Sequence, residues 1–302
     1  MPGSFRRNIL EARFTLAQGG FAGGVTSLNT LDLKNLRMQA KAVNAGGAAM
    51  GELQLTIFGM TPSQMNTLST LGMRIQQVPI RNAVTLMAGK EGDAQLSMMF
   101  EGGIQSAYAD MEAQPEVAFR VVAKSGLPQA VTAIPSTSYQ SAADVATVLQ
   151  NLAQQGGLAF ENNGVSVIMA AGQHYTGSLR NQIQTCAENA DIGWSLDKKT
   201  LIIWPKNGSR TGDAVLVSES TGMIGYPAYS AMGIRVRSLF NPAIRFQGKI
   251  EIALSSDDPI KLPRSTWTVY KLEHDLSSQY PRGPWESAME CYNPDFPQPV
   301  PG

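Results

Sequence analysis

Histidine and cysteine are the residues best able to act as bases, nucleophiles or metal ligands, and this chain has two of each. His174 falls in the loop sequence AGQHYTG, and Cys186 follows on the apolar face of a predicted helix. A Cys–His nucleophile pair needs an exposed thiol beside its base, whereas the periodicity buries Cys186. His274 and Cys291 both alternate with apolar residues in predicted strands. The pattern therefore favours structural roles for all four residues.

Other motifs of catalysis or metal binding are weak in this sequence. Asp257 and Asp258 are adjacent in a predicted loop, where they point apart and do not suit a paired acid and base. The glycine cluster at 19–24 lacks the lysine of a phosphate loop. No aspartates have the spacing of a calcium loop. We therefore expect no enzyme activity, no cofactor and no metal site.

Basic residues alternate with apolar ones in 238-SLFNPAIRFQGKIEI-252. A period of two is typical of strands, so the stretch predicts two strands turned at Asn241–Pro242. The side chains expected to face inward are Ile244, Phe246, Ile250 and Ile252, and those expected to face outward are Arg245, Gln247, Lys249 and Glu251. With two arginines upstream, the candidates for an assembly surface are Arg235, Arg237, Arg245, Lys249 and Glu251.

Nucleic-acid binding is an alternative reading of these basic strands. Single-strand binders combine basic and aromatic side chains on one surface, but alternation places Phe246 and Arg245 on opposite faces. The chain has 24 Lys and Arg against 24 Asp and Glu, so no global field attracts DNA or anionic lipid. No apolar run approaches the ~20 residues of a membrane helix. We expect no membrane insertion by this chain.

Three segments follow from the hydrophobic periodicity. Residues 1–126 are rich in strands and predict a small barrel or sandwich, and residues 206–302 are again rich in strands, with an extended proline-rich tail. Residues 127–205 predict an α+β module. The fold class is thus α+β and mostly β. In the first segment, Thr61 and Pro62 predict the start of a helix with Met65, Leu68 and Leu71 facing inward.

The α+β module predicts two successive helix-plus-hairpin units. Ser141, with Asp144 three residues later, indicates a capping box for the first helix. Ser178 is the expected cap of the second. Asn163–Gly164 predicts a turn in the first hairpin. Asp197–Lys198–Lys199 predicts the turn in the second hairpin.

Several blocks of this sequence resemble phage tail baseplate hub proteins. The run 98-MMFEGGIQSAYADMEAQPEVAFRVVAKSG-126 is similar to the end of their first tube-like domain. More specific likeness lies in 194-WSLDKKTLIIWPKNGSR-210, in 220–252 and in 269-VYKLEHDLSSQYPRGPWESAMECYNPDF-296. The resemblance covers almost the whole chain and is weakest over residues 1–50.

The resemblance implies a structural protein of the virion, assembled in the host cytoplasm. Hubs of this family form a homotrimer whose two tube-like β-barrel domains per chain make a pseudo-sixfold ring. The ring joins the hexameric tail tube, or a distal tube protein, to the trimeric central spike. The resemblance also implies contact with baseplate wedge and tape-measure proteins, and passage of phage DNA. The five candidate residues on the basic strands would then face either the lumen of the ring or a neighbouring subunit. The remaining alternatives are a cell-envelope hydrolase at the tail tip and a nucleic-acid-binding β-barrel protein.

Overall fold

The computed structural model describes residues 6–21, 29–46, 49–71, 82–112, 115–255 and 261–293. Strand makes up 47% and helix 14% of the described residues, which confirms an α+β and mostly β class. Two compact units are present, and both are discontinuous in sequence. The first comprises Met1–Val43, Glu52–Leu127 and His274–Trp285, and the second comprises Asn44–Gly51, Pro128–Glu273 and Glu286–Gly302. The division into three segments at 126 and 205 stays a prediction.

An antiparallel sheet forms most of the first unit. Its elements are β1 Asn8–Thr15, β2 Thr30–Leu33, β3 Met38–Asn44, β4 Glu52–Phe58, helix α1 Pro62–Leu68, β5 Ala83–Lys90, β6 Ser97–Asp110 and β7 Ala118–Lys124. The strand order is β3-β4-β7-β6-β5-β1-β2. Alternate residues are buried, as predicted, because successive strand side chains point to opposite faces. Examples are Leu10, Ala12 and Phe14 in β1 and Leu53, Leu55 and Ile57 in β4.

Helix α1 begins as predicted and ends earlier. Thr61 caps it in a capping box with Gln64, and proline occupies the first turn. Met65 and Leu68 are buried, but Leu71 is 76% exposed. The inward orientation predicted for Leu71 is wrong because the backbone of Ser69 is already extended, so the helical periodicity stops before Leu71.

The α+β module lies within the second unit. Its elements are α2 Leu127–Val131, β8 Thr137–Tyr139, β9 Ala143–Asp144, α3 Val145–Gln155, β10 Ala159–Asn162, β11 Ile168–Met169, β12 Gln173–Tyr175, α4 Leu179–Asn189, β13 Ile192–Asp197 and β14 Thr200–Pro205. Helices α3 and α4 share one apolar core with the sheet β10-β14-β13. This core includes Val145, Val148, Leu149 and Leu152 of α3 and Leu179, Ile183 and Cys186 of α4.

The caps of the two long helices follow the sequence in part. Ser178 caps α4, where its hydroxyl accepts a 3.3 Å hydrogen bond from the Asn181 amide. The cap of α3 is Asp144, whose carboxylate accepts from the Thr147 amide at 3.0 Å. The prediction of Ser141 as this cap is therefore wrong by three residues. A carboxylate directly before the first turn already satisfies the free amide.

One of the two predicted hairpins forms. Strands β13 and β14 pair across the two-residue turn Lys198–Lys199, and both lysines have the positive φ of a primed turn. The hairpin predicted at Asn163–Gly164 is wrong. Strand β10 instead pairs in parallel with β14, and β11 pairs with β9. Asn163 continues the β10–β14 contact, because its amide and its side chain both donate to the carbonyl of Ile203.

The remaining strands of the second unit also pair side by side. They are β15 Val215–Val217, β16 Ala228–Ser230, β17 Gly233–Leu239, β18 Lys249–Ile252, β19 Thr266–Ser278 and β20 Trp285–Tyr292. The order is β16-β17-β20-β19, with β18 beside β19 and β15 beside β18. The last residues of β19 belong to the first unit, where the Ser278 hydroxyl donates to the carbonyl of Leu36. Among the described residues no sheet closes on itself, so the two predicted barrels are not confirmed.

The strand pair predicted across Asn241–Pro242 is wrong. Strand β17 pairs with β16 and β20, whereas β18 pairs with β15 and β19. Residues 240–248 between them make two successive turns. In these turns the carbonyl of Asn241 accepts from the Ile244 amide at 3.1 Å, and that of Arg245 accepts from the Gly248 amide at 3.0 Å. These local bonds replace the ladder that the alternation of residues suggested.

Candidate assembly surface

Strand β17 positions Arg235 and Arg237 on an exposed face of the second unit. Its intervening side chains are buried, so the two arginines emerge on the same side. Arg235 lies opposite Glu290 on β20. The Nη2 atom of Arg237 lies 2.7 Å from both carboxylate oxygens of Glu286, also on β20. A basic strand thus runs beside an acidic one, and the assignment of these arginines to a lumen or interface stays a prediction.

Glu290 is the most connected carboxylate on this face. Its oxygens accept from the Tyr270 hydroxyl at 2.7 Å and the Lys271 ammonium at 3.0 Å. Burial alone opposes ionisation, but these hydrogen bonds outweigh it and hold the pKa of Glu290 below its usual value. Tyr270 and Lys271 are consecutive, yet both side chains reach the carboxylate of Glu290. They can do so because the alternation of buried and exposed residues in β19 is interrupted there, between the buried Val269 and Leu272. Such a shift is typical of a β-bulge.

The other three predicted residues lie on two further elements. Lys249 and Glu251 share one face of β18, because Ile250 and Ile252 between and after them are buried. Lys249 is half-buried and Glu251 is exposed. Arg245 is exposed in the turns before β18 rather than on a strand. The structure therefore groups the five residues as two neighbours on β17, two on β18 and one in a turn.

Gln247 was predicted to face outward, and that prediction is wrong. Its side chain is 1% exposed, and its φ of 59° is left-handed. The side-chain amide donates to the carbonyl of Gly208 at 2.7 Å and to the Tyr292 hydroxyl at 3.0 Å. Phe246 is buried, but it packs on Ile202 and Trp204 rather than with the isoleucines of β18. The left-handed residue rotates the chain, so simple alternation fails at this point.

Two exposed sheet edges were missed by the sequence reasoning. Strands β2 and β16 stand at the two ends of the strand order, so one side of each lacks a strand partner among the described residues. Tyr229 on β16 is 90% exposed, and Leu239 of β17 is 54% exposed. Open edges with bare apolar side chains are sites at which other chains pair. The feature of the sequence that could have indicated the edge strand β16 is a short aromatic segment bounded by Pro227 and Gly233.

The predicted chemical candidates lie apart from this face. Cys186 is buried in the α+β core, and burial raises the pKa of its thiol to about 11. His274 and Cys291 are buried in strands. His174 is exposed on β12, where its Nδ1 lies 2.6 Å from the Ser138 hydroxyl. Asp257 and Asp258 lie outside the described residues.

No group of three or more histidine, cysteine, aspartate or glutamate side chains is placed to hold a metal ion in the ranges that the structure covers. Within those same ranges, no helix is long and apolar enough to cross a membrane.

Comparison with solved structures defines the class of fold. The 43 kDa tail protein of prophage MuSo2 from Shewanella oneidensis superposes with a TM-score of 0.57 and 8% identity, covering 96% of this chain and 98% of that one. A tail protein from Neisseria meningitidis MC58 gives 0.61 and 9%, covering 94% and 96%. The E. coli c3393 protein, a type VI secretion component described as similar to T4 tail proteins gp27 and gp5, gives 0.53 and 10%, covering 85% and 73%. The chain has the fold of tail proteins.

The family assignment is narrower than the fold. The sequence matches the family described as "Baseplate hub gp41" over residues 9–282. The chain belongs to this baseplate hub family, and the resemblance noted from the sequence is confirmed. Membership supports a structural role in a phage tail and a place in the virion. No curated protein sequence matches the chain.

Proposed function

We propose that this chain is the structural hub of a phage or phage-like tail baseplate. Three copies form a ring that joins the hexameric tail tube to the trimeric central spike and surrounds the channel for DNA ejection. The observation that carries the proposal is the baseplate hub family match over residues 9–282. The tail-protein fold, which extends over nearly the whole chain, supports it independently.

The ring would contain two tube-like β domains from each chain. Six such domains in three chains give the pseudo-sixfold symmetry that a hexameric tube requires. The described strands support this arrangement because their order ends at the open strands β2 and β16. A closed ring covers edges that would otherwise template aggregation. Strands from neighbouring copies would pair with these open strands and so complete the barrels that a single chain leaves open.

The exposed charges on β17 and β18 suit a surface that DNA passes without being held. Arg237 is paired with Glu286, Arg235 lies opposite Glu290, and Glu251 shares the face of Lys249. Phosphate binding depends on cations that can replace counterions. An arginine that is paired with a carboxylate is less able to replace a phosphate counterion, so DNA contact in a lumen would be weak. The same paired charges also suit a polar contact between subunits.

Other partners follow from the same position in the tail. A hub between tube and spike contacts a tail tube or distal tube protein above and the central spike protein below. Baseplate wedge proteins and the tape measure are further neighbours. We place its assembly in the host cytoplasm, before the particle is released.

The two alternative functions have less support. A cell-envelope hydrolase needs an exposed nucleophile, whereas Cys186 is buried; the Ser138–His174 pair is exposed, and it gives that hypothesis one residue pair to test. A nucleic-acid-binding protein needs unpaired cations beside aromatic rings, whereas Phe246 is buried against Trp204. Loss of a lytic activity in Ser138→Ala and His174→Ala, while the fold is retained, would favour the hydrolase.

The mass of the purified chain in solution tests the proposal. Light scattering coupled to size exclusion is expected to give three times the 32.4 kDa of one chain. Replacing Arg235 and Arg237 together by glutamate is expected to reduce the assembled fraction, while replacing both by lysine, which keeps the charge, is the matched control. A monomer at all concentrations, or equal assembly of the glutamate and lysine variants, would count against a hub that uses this face.

A further inference from the structure

A cluster of charged side chains lies around the turn between β13 and β14 in the second unit. Asp197 and Lys198 belong to this turn. Arg210, which precedes β15, binds the carboxylate of Glu161 through two nitrogen atoms, and its third nitrogen, Nη1, lies 3.9 Å from Asp197. Arg245 is near enough for its charge to act on both Glu161 and Lys198. The cluster thus contains three basic side chains and two acidic ones.

Lys198 is a cation without a direct partner in this cluster. Its side chain is half-buried, and it makes no hydrogen bond or ion pair with any described residue. Burial lowers the pKa of Lys198, and the charge of Asp197 beside it raises the pKa only in part. The positive charges of Arg210 and Arg245 lower the pKa further. An ammonium in this position is destabilised unless an anion accepts its hydrogen bonds.

Arg210 has a buried donor without an acceptor. Its side chain is 8% exposed, and Nη1 has no hydrogen-bond partner among the described residues. At 3.9 Å, the carboxylate of Asp197 is beyond hydrogen-bond distance from this atom. The carboxylate of Glu161 already accepts from Nε and Nη2 of the same arginine. The interior of the cluster therefore has positive charge that its own carboxylates do not fully match.

Arg245 gives the cluster a cation that solvent can reach. Its side chain is exposed in the turns before β18 and makes no hydrogen bond or ion pair with any described residue. The turns hold its backbone, because its carbonyl accepts from the Gly248 amide at 3.0 Å and the next side chain, Phe246, is buried. A guanidinium can donate two parallel hydrogen bonds to one phosphate group, and an ammonium adds a further donor.

The arrangement favours a phosphate group over a carboxylate or a chloride ion. The two cations without direct partners, Lys198 and Arg245, lie on different turns, so their donors come from separate parts of the chain. Phosphate oxygens are arranged as a tetrahedron and accept from several directions, whereas the two oxygens of a carboxylate lie in one plane. A phosphate group also has more negative charge than chloride at neutral pH. It therefore matches both the donors and the excess charge.

We propose that Lys198 and Arg245 bind a phosphate group at this cluster, and that the buried Arg210 adds positive charge to the site. The bound group supplies the acceptors that the two cations lack among the described residues. Free phosphate and the phosphodiester backbone of DNA offer the same oxygens. The site lies within one chain, so it does not depend on the self-association proposed above.

Equilibrium dialysis of the full chain against radiolabelled phosphate tests the site. We expect saturable binding of a single phosphate per chain at constant ionic strength. Lys198→Met and Arg245→Met are each expected to weaken binding roughly tenfold, the range for a hydrogen bond between charged groups. The matched controls are Lys249→Met and Arg282→Met, because Lys249 is also half-buried and Arg282 is also exposed. Both controls are expected to bind phosphate as the wild type does.

Further measurements separate binding from folding. Lys198→Arg and Arg245→Lys keep the charge, and they are expected to bind phosphate more tightly than the methionine variants. Lys198→Met removes a half-buried charge without a direct partner, so its urea midpoint in phosphate-free buffer is expected to equal or exceed that of the wild type. A lower midpoint, uptake that does not saturate, or equal uptake by the methionine variants and the controls would overturn the proposal.

A competition experiment identifies the source of the phosphate group. A short single-stranded oligothymidine is added to the wild-type chain in the presence of labelled phosphate. Displacement of the label would show that the site accepts the DNA backbone, whereas unchanged binding would assign the site to free phosphate. Acetate at the same ionic strength is expected to displace little of the label. Equal displacement by acetate would overturn the assignment to phosphate.

Discussion

Arg210 and Glu161 form an ion pair in the interior of the second unit. The Nε and Nη2 atoms of Arg210 lie 2.8 and 2.5 Å from the two carboxylate oxygens of Glu161. The arginine side chain is 8% exposed and that of the glutamate is 32% exposed. Asp197 lies 3.9 Å from the remaining nitrogen, Nη1. The pair ties the segment that leads into β15 to strand β10 of the α+β module.

Replacing Arg210 by methionine is expected to lower the free energy of unfolding by about 2–4 kcal/mol. Removing one partner leaves a carboxylate that is two-thirds covered without its counter-charge, which costs several kcal/mol when fully buried. Urea denaturation followed by circular dichroism measures the change. Arg13→Met is the matched control, because the Arg13–Asp32 pair is exposed and is expected to change stability by about 0.5 kcal/mol or less. Equal effects of the two variants would refute the interior role.

The same pair predicts a dependence of stability on pH. Burial raises the pKa of Glu161, but the hydrogen bonds and charge of Arg210 outweigh it, so the pKa in the folded protein lies below the usual 4.5. A carboxyl with a lowered folded pKa contributes stability above its unfolded pKa and loses that contribution as pH falls through the folded value. The stability gap between the wild type and Glu161→Gln is therefore expected to be full at pH 7 and to shrink below about pH 4.5. Urea midpoints at several pH values measure this gap. A gap independent of pH would show that ionised Glu161 contributes nothing.

The sequence predicted those features that depend on near neighbours. The caps Thr61 and Ser178 act on amides three residues away, and the buried alternation of β1 and β4 is a property of each strand alone. The lysine turn formed as predicted because its two strands are adjacent in the chain. These interactions require no knowledge of the rest of the fold.

Features that depend on distant partners were not predictable. Asn163 and Gly164 favour a hairpin turn. In the fold, however, the side chain of Asn163 donates to the carbonyl of Ile203, forty residues later. Gln247 lies inward because its side-chain amide donates hydrogen bonds to the carbonyl of Gly208 and to the hydroxyl of Tyr292. The exposed edge at Tyr229 depends on which strand ends the sheet. Alternation alone contains no information on these choices.

Gln247 is expected to be a sensitive position despite its polar side chain. Gln247→Ala removes the donor to Gly208 and Tyr292 and opens a cavity, so we expect a loss of about 1–3 kcal/mol in the free energy of unfolding. Urea denaturation measures it, with Arg245→Ala, an exposed neighbour two residues away, as the control. A loss no larger than that of the control would show that the hydrogen bonds of the Gln247 amide contribute little.

Both thiols are expected to be unreactive in the folded protein. Burial raises the pKa of Cys186 to about 11 and also raises that of Cys291, so the reactive thiolate is scarce at pH 8. Titration with Ellman's reagent is expected to detect no fast thiol before denaturation and two afterwards. A fast thiol in the native state would reopen a nucleophilic role for one of these cysteines.

Cryo-electron microscopy of the assembled tail tip would show directly whether the chain forms the proposed hub. We expect three copies of this chain in one ring, between the last ring of tube subunits and the central spike, with an open channel along the axis. A ring with another number of copies, a single copy of the chain, or a position without contact to the tube would contradict it.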